Sequence, residues 1–305
     1  MMNKAILIIK ALRLYSLMVS SAGIVLGSML AFSDGSFRWS VAILTILTCW
    51  CLHLLCNVSN DYGDAVRQTD KDHYFGDTRY VQEGLLSLRE TKGICIVLAA
   101  LAVIFGCSMI ALAFGIRWSA NHWLFSAIGL LAIFAAIAYT NGRKPYGYHA
   151  LGDVSVFIFF GIATVQGAYY LQTGVWSMSV LVHAAAVGLM VVGLLNNNNI
   201  RDIEADVKVG KTTVANLLGL RQARRYQYLL LMTAFIIEWG RYGWIPSRYS
   251  LIISGCLPFF MVYLGMFKNC KTPADYHRLM FPISMLTLLF AIVVGIAQGI
   301  MNNEQ

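Results

Sequence analysis

The chain has 305 residues, of which 58% are apolar and only 12% charged, about half the charged share of a soluble globular protein. A mean hydropathy of +0.64 excludes a disordered chain and argues against a water-soluble domain. Seven cysteines, odd in number and without CxxC spacing, exclude a secreted disulfide scaffold and read as buried thiols. A polytopic membrane protein remains.

Apolar stretches long enough to cross a bilayer recur along the whole chain. They cover 12–32, 39–56, 93–114, 123–139, 154–171, 180–195, 226–239, 251–267 and 279–300. Backbone polar groups in lipid must be satisfied within each segment, so these runs are helices. The expected fold is therefore all-α: a polytopic bundle of nine transmembrane helices forming one domain over residues 1–305. Lys4, Lys10 and Arg13 precede or open the first span, which is long enough to stay in the membrane, so no cleavable signal peptide is expected. With the N-terminus cytoplasmic, 19 of the 23 Lys and Arg face the cytoplasm and Arg38, Arg117, Arg241 and Arg248 face outward. That asymmetry follows the positive-inside rule. The net charge of +8 then calls for no nucleic acid, because anionic lipid headgroups and a polyanionic substrate suffice.

Two charged loops on the cytoplasmic side, 57–92 and 196–225, hold most of the acids. The first opens on Asn57-Val-Ser-Asn60-Asp61-Tyr-Gly-Asp64 and continues through Arg67, Asp70 and Lys71. At about 100° per residue, Asn57, Asn60, Asp61 and Asp64 share one stripe if the second helix runs on through them. Asp70 joins them only if that helix ends after Asp64. Crowded carboxylates repel one another unless cations sit between them, and oxygen-only donors favour Mg²⁺ over zinc. A solvated acidic helix end is the plainer alternative.

The second loop reads Asn196-Asn-Asn-Asn199-Ile-Arg201-Asp202-Ile-Glu204-Ala-Asp206-Val-Lys208. Asn198, Asp202 and Asp206 are spaced i, i+4, i+8 and share a face, while Glu204 points away. Four asparagines ending an apolar helix are costly unless each finds a partner. The two loops lie on one side and repeat one chemistry, which predicts a single two-part site. Two acidic clusters, each able to hold Mg²⁺, would clamp a diphosphate. Arg67, Lys71, Arg79, Arg143, Lys144, Lys208 and Lys211 are candidates to cover its remaining oxygens, or are equally well topology-setting surface charges. A lipid diphosphate fits better than a nucleotide. Gly210-Lys211-Thr212 mimics the end of a P-loop, but Ala205 stands where its first glycine belongs.

Asn60-Asp61-x-x-Asp64 followed by Asp70, the later Asp202-x-x-x-Asp206 and the nine spans together resemble the UbiA superfamily of intramembrane prenyltransferases. Segments 60–67, 139–153 and 197–206 bring the likeness nearest to its 1,4-dihydroxy-2-naphthoate branch. Five residues rather than three separate Asp64 from Asp70, a departure from the wider superfamily that looks like the naphthoate branch. Arg143-Lys144 stand before Pro145 where many relatives carry a Gly-Pro-type turn.

The resemblance implies Mg²⁺-dependent transfer of a polyprenyl group from polyprenyl diphosphate to 1,4-dihydroxy-2-naphthoate, with loss of CO₂, giving demethylmenaquinone. It implies a bacterial cytoplasmic (inner) membrane, with lipid around the bundle and the active-site loops facing the cytoplasm. Asn60, Asp61, Asp64, Asp70, Asn198, Asp202 and Asp206 would be the metal ligands, with Asp64 and Asp202 central to catalysis. Asn60, Arg67, Lys71, Arg79, Lys144 and Lys208 would contact the diphosphate. Tyr139 would offer its ring face to an allylic cation, or is an interfacial belt tyrosine. Asp153 would orient the acceptor or a base, or simply complements a helix N-terminus. Two rivals stay open: a sibling enzyme for another acceptor such as 4-hydroxybenzoate, and a secondary transporter. Against the transporter, the acids cluster at helix ends and the span centres carry almost none.

Overall fold

The computed structural model describes residues 4–67, 80–242 and 246–302. Among them the chain is helical from end to end, with no strand beyond a single bridge between His149 and Thr212. A short α1 (Lys4–Ala11) leads into α2 (Leu17–Ser33), α3 (Trp39–Arg67), α4 (Leu88–Phe114) and α5 (Ala120–Ala138). Then follow α6 (Gly152–Thr173), α7 (Met178–Arg201), the short α8 (Ile203–Lys208) and α9 (Val214–Trp239). α10 (Arg248–Lys268) and α11 (Pro273–Asn302) complete the bundle; each is a short helix and a longer one in near-continuation.

Eight helices among the described residues are long and apolar enough to cross a membrane, not nine. The exception is α9, which contains the span expected at 226–239 but also carries Arg221, Arg224, Arg225 and Glu238. It nevertheless runs the length of α7. Near one end Asn196 donates to the Ala223 carbonyl and to Gln227, and near the other His183 bonds Glu238. Its first turn is set off by Gly219, whose φ of +71° interrupts the helical backbone and suits glycine.

Burial separates the helices into an inner and an outer set. In α2 and α7 just over half of the most apolar window is buried, against 22% in α4 and α5, which present Ile96, Ile104, Leu130 and Phe134 outward. An apolar exterior is what lipid demands. The main core gathers Leu26, Val187, Met190, Phe260 and Phe290 from α2, α7, α10 and α11. Lipid supplies no hydrophobic drive between helices, so small residues at close crossings replace it. Gly23 and Gly27 of α2 are four residues apart, and a Cβ on Gly27 would lie 2.3 Å from the Val165 carbonyl oxygen. On Gly161, a Cβ would stand 2.5 Å from the Cα of Gly188. Gly161 lies in a π-helical stretch of α6, Phe157–Ala163, of the type that recurs near functional sites.

One end of the bundle is closed by direct polar ties. Arg38 donates to the Leu171 carbonyl at 2.7 Å, and Asn302 donates to Asp34 at 2.9 Å. The opposite end collects the C-termini of α3, α5 and α7 and is open to a cavity.

Candidate active site

The last three turns of α3 put Asn57, Asn60 and Asp64 on the wall of a cavity of about 390 Å³. Asp61 does not join them. It sits at the other edge of the predicted stripe, is buried, and accepts from the Arg13 guanidinium at 2.6 Å. Arg13 lies between α1 and α2 with φ 52° and ψ 52°, a left-handed backbone uncommon for a side chain of its size, and itself lines the cavity. The turn after α5 docks on the same helix end. Thr140 donates to the Asn60 amide oxygen at 3.1 Å, and Asn141 donates to the Ser59 carbonyl at 2.9 Å.

α7 delivers the second half of the site. Its four asparagines, about 100° apart, take different neighbours. Asn196 and Asn197 turn into the bundle, Asn197 donating to the Tyr276 carbonyl at 2.9 Å, whereas Asn198 and Asn199 line the cavity. The helix stops at Arg201. Asp202, at φ −102° and ψ 7°, caps it, and its carboxylate accepts from Arg201 Nε and Nη2 at 2.7 and 2.6 Å. The face expected through Asn198, Asp202 and Asp206 is therefore not one continuous helix. Asp206, in α8, is buried and receives Lys211 Nζ at 3.0 Å. Asp202 lines the cavity; Asp206 contributes through Lys211, which does. Glu204 is exposed, as its direction from Asp202 requires.

Three basic side chains thus stand on three carboxylates: Arg13 on Asp61, Arg201 on Asp202 and Lys211 on Asp206. Burial works against the charge on Lys211, but the carboxylates of Asp206 and Asp64 and the nearby Tyr139 outweigh it and hold its pKa above the ordinary lysine value. Lys211 therefore stays protonated at the mouth. The backbone bridge holds this loop in place: Thr212 N donates to the Tyr148 carbonyl and Ala150 N to the Thr212 carbonyl. Tyr148 in turn collects Arg67 and Lys211 over its ring, at 5.2 and 5.9 Å from its centroid, with its hydroxyl 3.5 Å from Asp64 Oδ1.

The remaining expected residues divide. Tyr139 lines the cavity, its ring met edge-on by Tyr146 at 5.3 Å. Arg67 holds the Gly142 carbonyl and the Tyr148 ring rather than the cavity wall. Lys144 and Lys208 are exposed and away from that wall. Asp153 faces α9, where it accepts from the Tyr226 hydroxyl at 3.1 Å, and is not part of the wall either. Asp70, Lys71 and Arg79 lie outside the described residues. Arg13, Arg201, Tyr148 and His53 are residues of the site or its wall that the sequence reading did not select. For His53 a signal was present, because 53, 57, 60 and 64 recur at steps of four, three and four.

Away from the mouth the cavity is mostly apolar. It follows α3 from Asp64 to Thr45, roughly 28 Å at 1.5 Å per residue, between Phe159 and Phe160 of α6 and Phe125 and Ile128 of α5. Such a depth matches the hydrocarbon thickness of a bilayer. Among the described residues no three His, Cys, Asp or Glu side chains converge closely enough to hold a metal alone. Mg²⁺ is usually held by one or two carboxylates and completed by water and substrate phosphate. Asp64 and Asp202 line the mouth of the cavity together with Asn60 and Asn198.

Comparison with known proteins follows the same lines. The sequence pattern of the UbiA prenyltransferase family matches residues 21–289. The chain is 39% identical over 228 residues to 1,4-dihydroxy-2-naphthoate octaprenyltransferase of Escherichia coli K12, covering 75% of this chain and 73% of that one. It is 33% identical to the enzyme of that name from Haemophilus influenzae, covering 92% of each. Among solved structures, a UbiA homolog from Archaeoglobus fulgidus bound to GPP and Mg²⁺ shares the fold, with a TM-score of 0.65, 15% identity and coverage of 95% and 99%.

Proposed function

The chain belongs to the UbiA prenyltransferase family, and from that premise we propose that it transfers a polyprenyl group from polyprenyl diphosphate to 1,4-dihydroxy-2-naphthoate. The acceptor loses its carboxylate as CO₂, diphosphate leaves with the electrons of the C–O bond, and the immediate product is the hydroquinone demethylmenaquinol, which air oxidises to demethylmenaquinone after release. One observation carries the reading: a single cavity joins Asn60 and Asp64 to Asn198 and Asp202 at its mouth and continues as an apolar channel. The mouth suits a diphosphate, and the channel suits its isoprenoid tail.

Asn60, Asp64, Asn198 and Asp202 would hold Mg²⁺, which when bound neutralises the diphosphate as the allylic C–O bond breaks. The protein's own cations do the rest of the electrostatic work. Arg13, Arg201 and Lys211 balance the acids of the mouth and line the same cavity, so they also face the diphosphate oxygens. Charges fixed in advance in a site shielded from water need little reorganisation when the leaving group develops charge. Tyr139 presents its ring to the cavity below that mouth, where it would stabilise positive charge on the allylic carbon. The apolar wall excludes water from that carbon, favouring attack by the aromatic ring over hydrolysis. The site end faces the cytoplasm of a bacterial inner membrane in this reading, as the 19 to 4 division of basic residues requires.

The test is a paired acceptor assay on purified protein with Mg²⁺ and a long all-trans polyprenyl diphosphate. With 1,4-dihydroxy-2-naphthoate, CO₂ release and demethylmenaquinol (read as demethylmenaquinone after oxidation in air) are expected in equal amounts, with little product from 4-hydroxybenzoate. The opposite preference would keep the chemistry and overturn the acceptor. Absence of any prenyl transfer, with Mg²⁺-independent solute uptake in liposomes, would overturn the enzyme itself.

A further inference from the structure

His53 is a buried polar group of the cavity wall that its own surroundings leave unsatisfied. The hydroxyls of Thr45, Thr48 and Thr164 along the same wall each bond to a backbone carbonyl four residues earlier. Tyr146 and Ser155 bond to each other. His53, by contrast, is buried, and its Nδ1 is enclosed with no hydrogen-bond partner. The imidazole forms part of the cavity wall, leaving Nε2 as the nitrogen that a bound molecule can reach. Phe160, from the π-helical stretch of α6, meets the ring edge-on at 5.1 Å and 80° and fixes its plane.

Among the described residues neither ring nitrogen has a hydrogen-bond partner, a costly state in an apolar wall, and a ligand can relieve it only at Nε2. The position says which ligand. His53 lies seven residues before Asn60 on α3, roughly 10 Å deeper along the helix. The prenyl donor carries its polar atoms in the diphosphate, which belongs at the mouth, and its tail offers nothing to an imidazole. The acceptor carries two ring hydroxyls and a carboxylate, and its ring must lie below the diphosphate to reach the allylic carbon. Resting on the function proposed above, we propose that His53 binds the aromatic acceptor, with Nε2 paired to a ring hydroxyl. Phe160 holds the imidazole in orientation and packs beside the acceptor's fused rings.

The test compares wild type, His53→Phe and His53→Gln in detergent, with steady-state kinetics for both substrates and equilibrium binding of 1,4-dihydroxy-2-naphthoate in the absence of donor. Thermal melting confirms that each variant is folded. His53→Phe is expected to raise both KM and Kd for the naphthoate at least tenfold while KM for the polyprenyl diphosphate stays within twofold. Gln, whose amide reaches the same depth, should recover most of the loss. Wild-type acceptor constants in His53→Phe, or a defect confined to the donor KM, would overturn the assignment. Should His53→Phe fail to fold, His53→Leu, which also removes the polar group, takes its place, and an acceptor KM in that variant that rises no more than its donor KM would overturn the assignment equally. A wild-type protein that uses a different acceptor would instead sink the function on which the assignment rests.

Discussion

Asp64→Ala and Asp202→Ala are each expected to lower turnover by two to three orders of magnitude, about 3 to 4 kcal/mol of transition-state stabilisation, while the protein stays folded in the membrane. Both carboxylates line the mouth of the cavity, one at the end of α3 and the other capping α7. Removing either leaves the diphosphate's charge less compensated at the moment the C–O bond breaks. The Asp202 variant also releases Arg201, which now holds both carboxylate oxygens. Glu204→Ala is the internal control, because Glu204 is exposed and points away from the cavity. Its turnover should stay within a few-fold of wild type. Initial rates at saturating Mg²⁺ and substrates check the comparison, and equal loss from all three substitutions would show that the acids act only through overall charge.

The second large effect concerns stability and lies at the other end of the bundle. Glu238 is fully buried, bonded to His183 Nδ1 at 2.9 Å and accepting from the Tyr249 hydroxyl at 2.5 Å. These three residues join α7, α9 and α10. Glu238→Ala would strand two buried polar partners, and breaking a buried pair by removing one member costs about 3 to 5 kcal/mol. Thermal unfolding in detergent should show a large drop, with Glu238→Gln milder because it can still accept from Tyr249. Turnover per folded molecule should remain near wild type for both variants, since the cluster takes no part in the cavity wall. A Glu238→Ala protein of unchanged stability would contradict the role of this cluster in holding α9 in the bundle.

The history of α9 shows where hydropathy stops being informative. Its N-terminal half reads as loop because Arg221, Arg224 and Arg225 dilute the apolar pattern. Arg224 is nevertheless partnered within the fold, donating to the carbonyls of Cys270 and Lys268 near the end of α10. A tertiary contact of that kind leaves no periodic trace. The other spans were legible because lipid forces a long apolar run on each crossing helix; their ends lie within about six residues of those in the structure, except that the second helix runs on from residue 56 to Arg67.

The site was legible in part for the same geometric reason. A stripe at helical spacing correctly joined Asn57, Asn60 and Asp64, but a stripe of this width also admitted Asp61, and only the position of Arg13 decides which way Asp61 turns. Asp206 was placed by extending α7 through a break at Asp202 that no residue pattern announces. The basic residues were the least legible. Lys144 and Lys208 sit in the right loops yet face solvent, whereas Arg201, adjacent to Asp202 in sequence, reaches the cavity. Charge sign can be read from sequence, but its direction depends on the fold.

In the proposed reaction one cavity mouth, shared by the ends of α3 and α7, holds both the metal and the diphosphate. The most direct test of that arrangement is a structure of the protein with Mn²⁺ in place of Mg²⁺ and a non-hydrolysable prenyl thiodiphosphate, with the metal located by anomalous scattering. Mn²⁺ is expected at the carboxylates of Asp64 and Asp202, with the prenyl tail running along α3 past His53 towards Thr45. Mn²⁺ bound elsewhere, or a tail lying outside this channel, would contradict it.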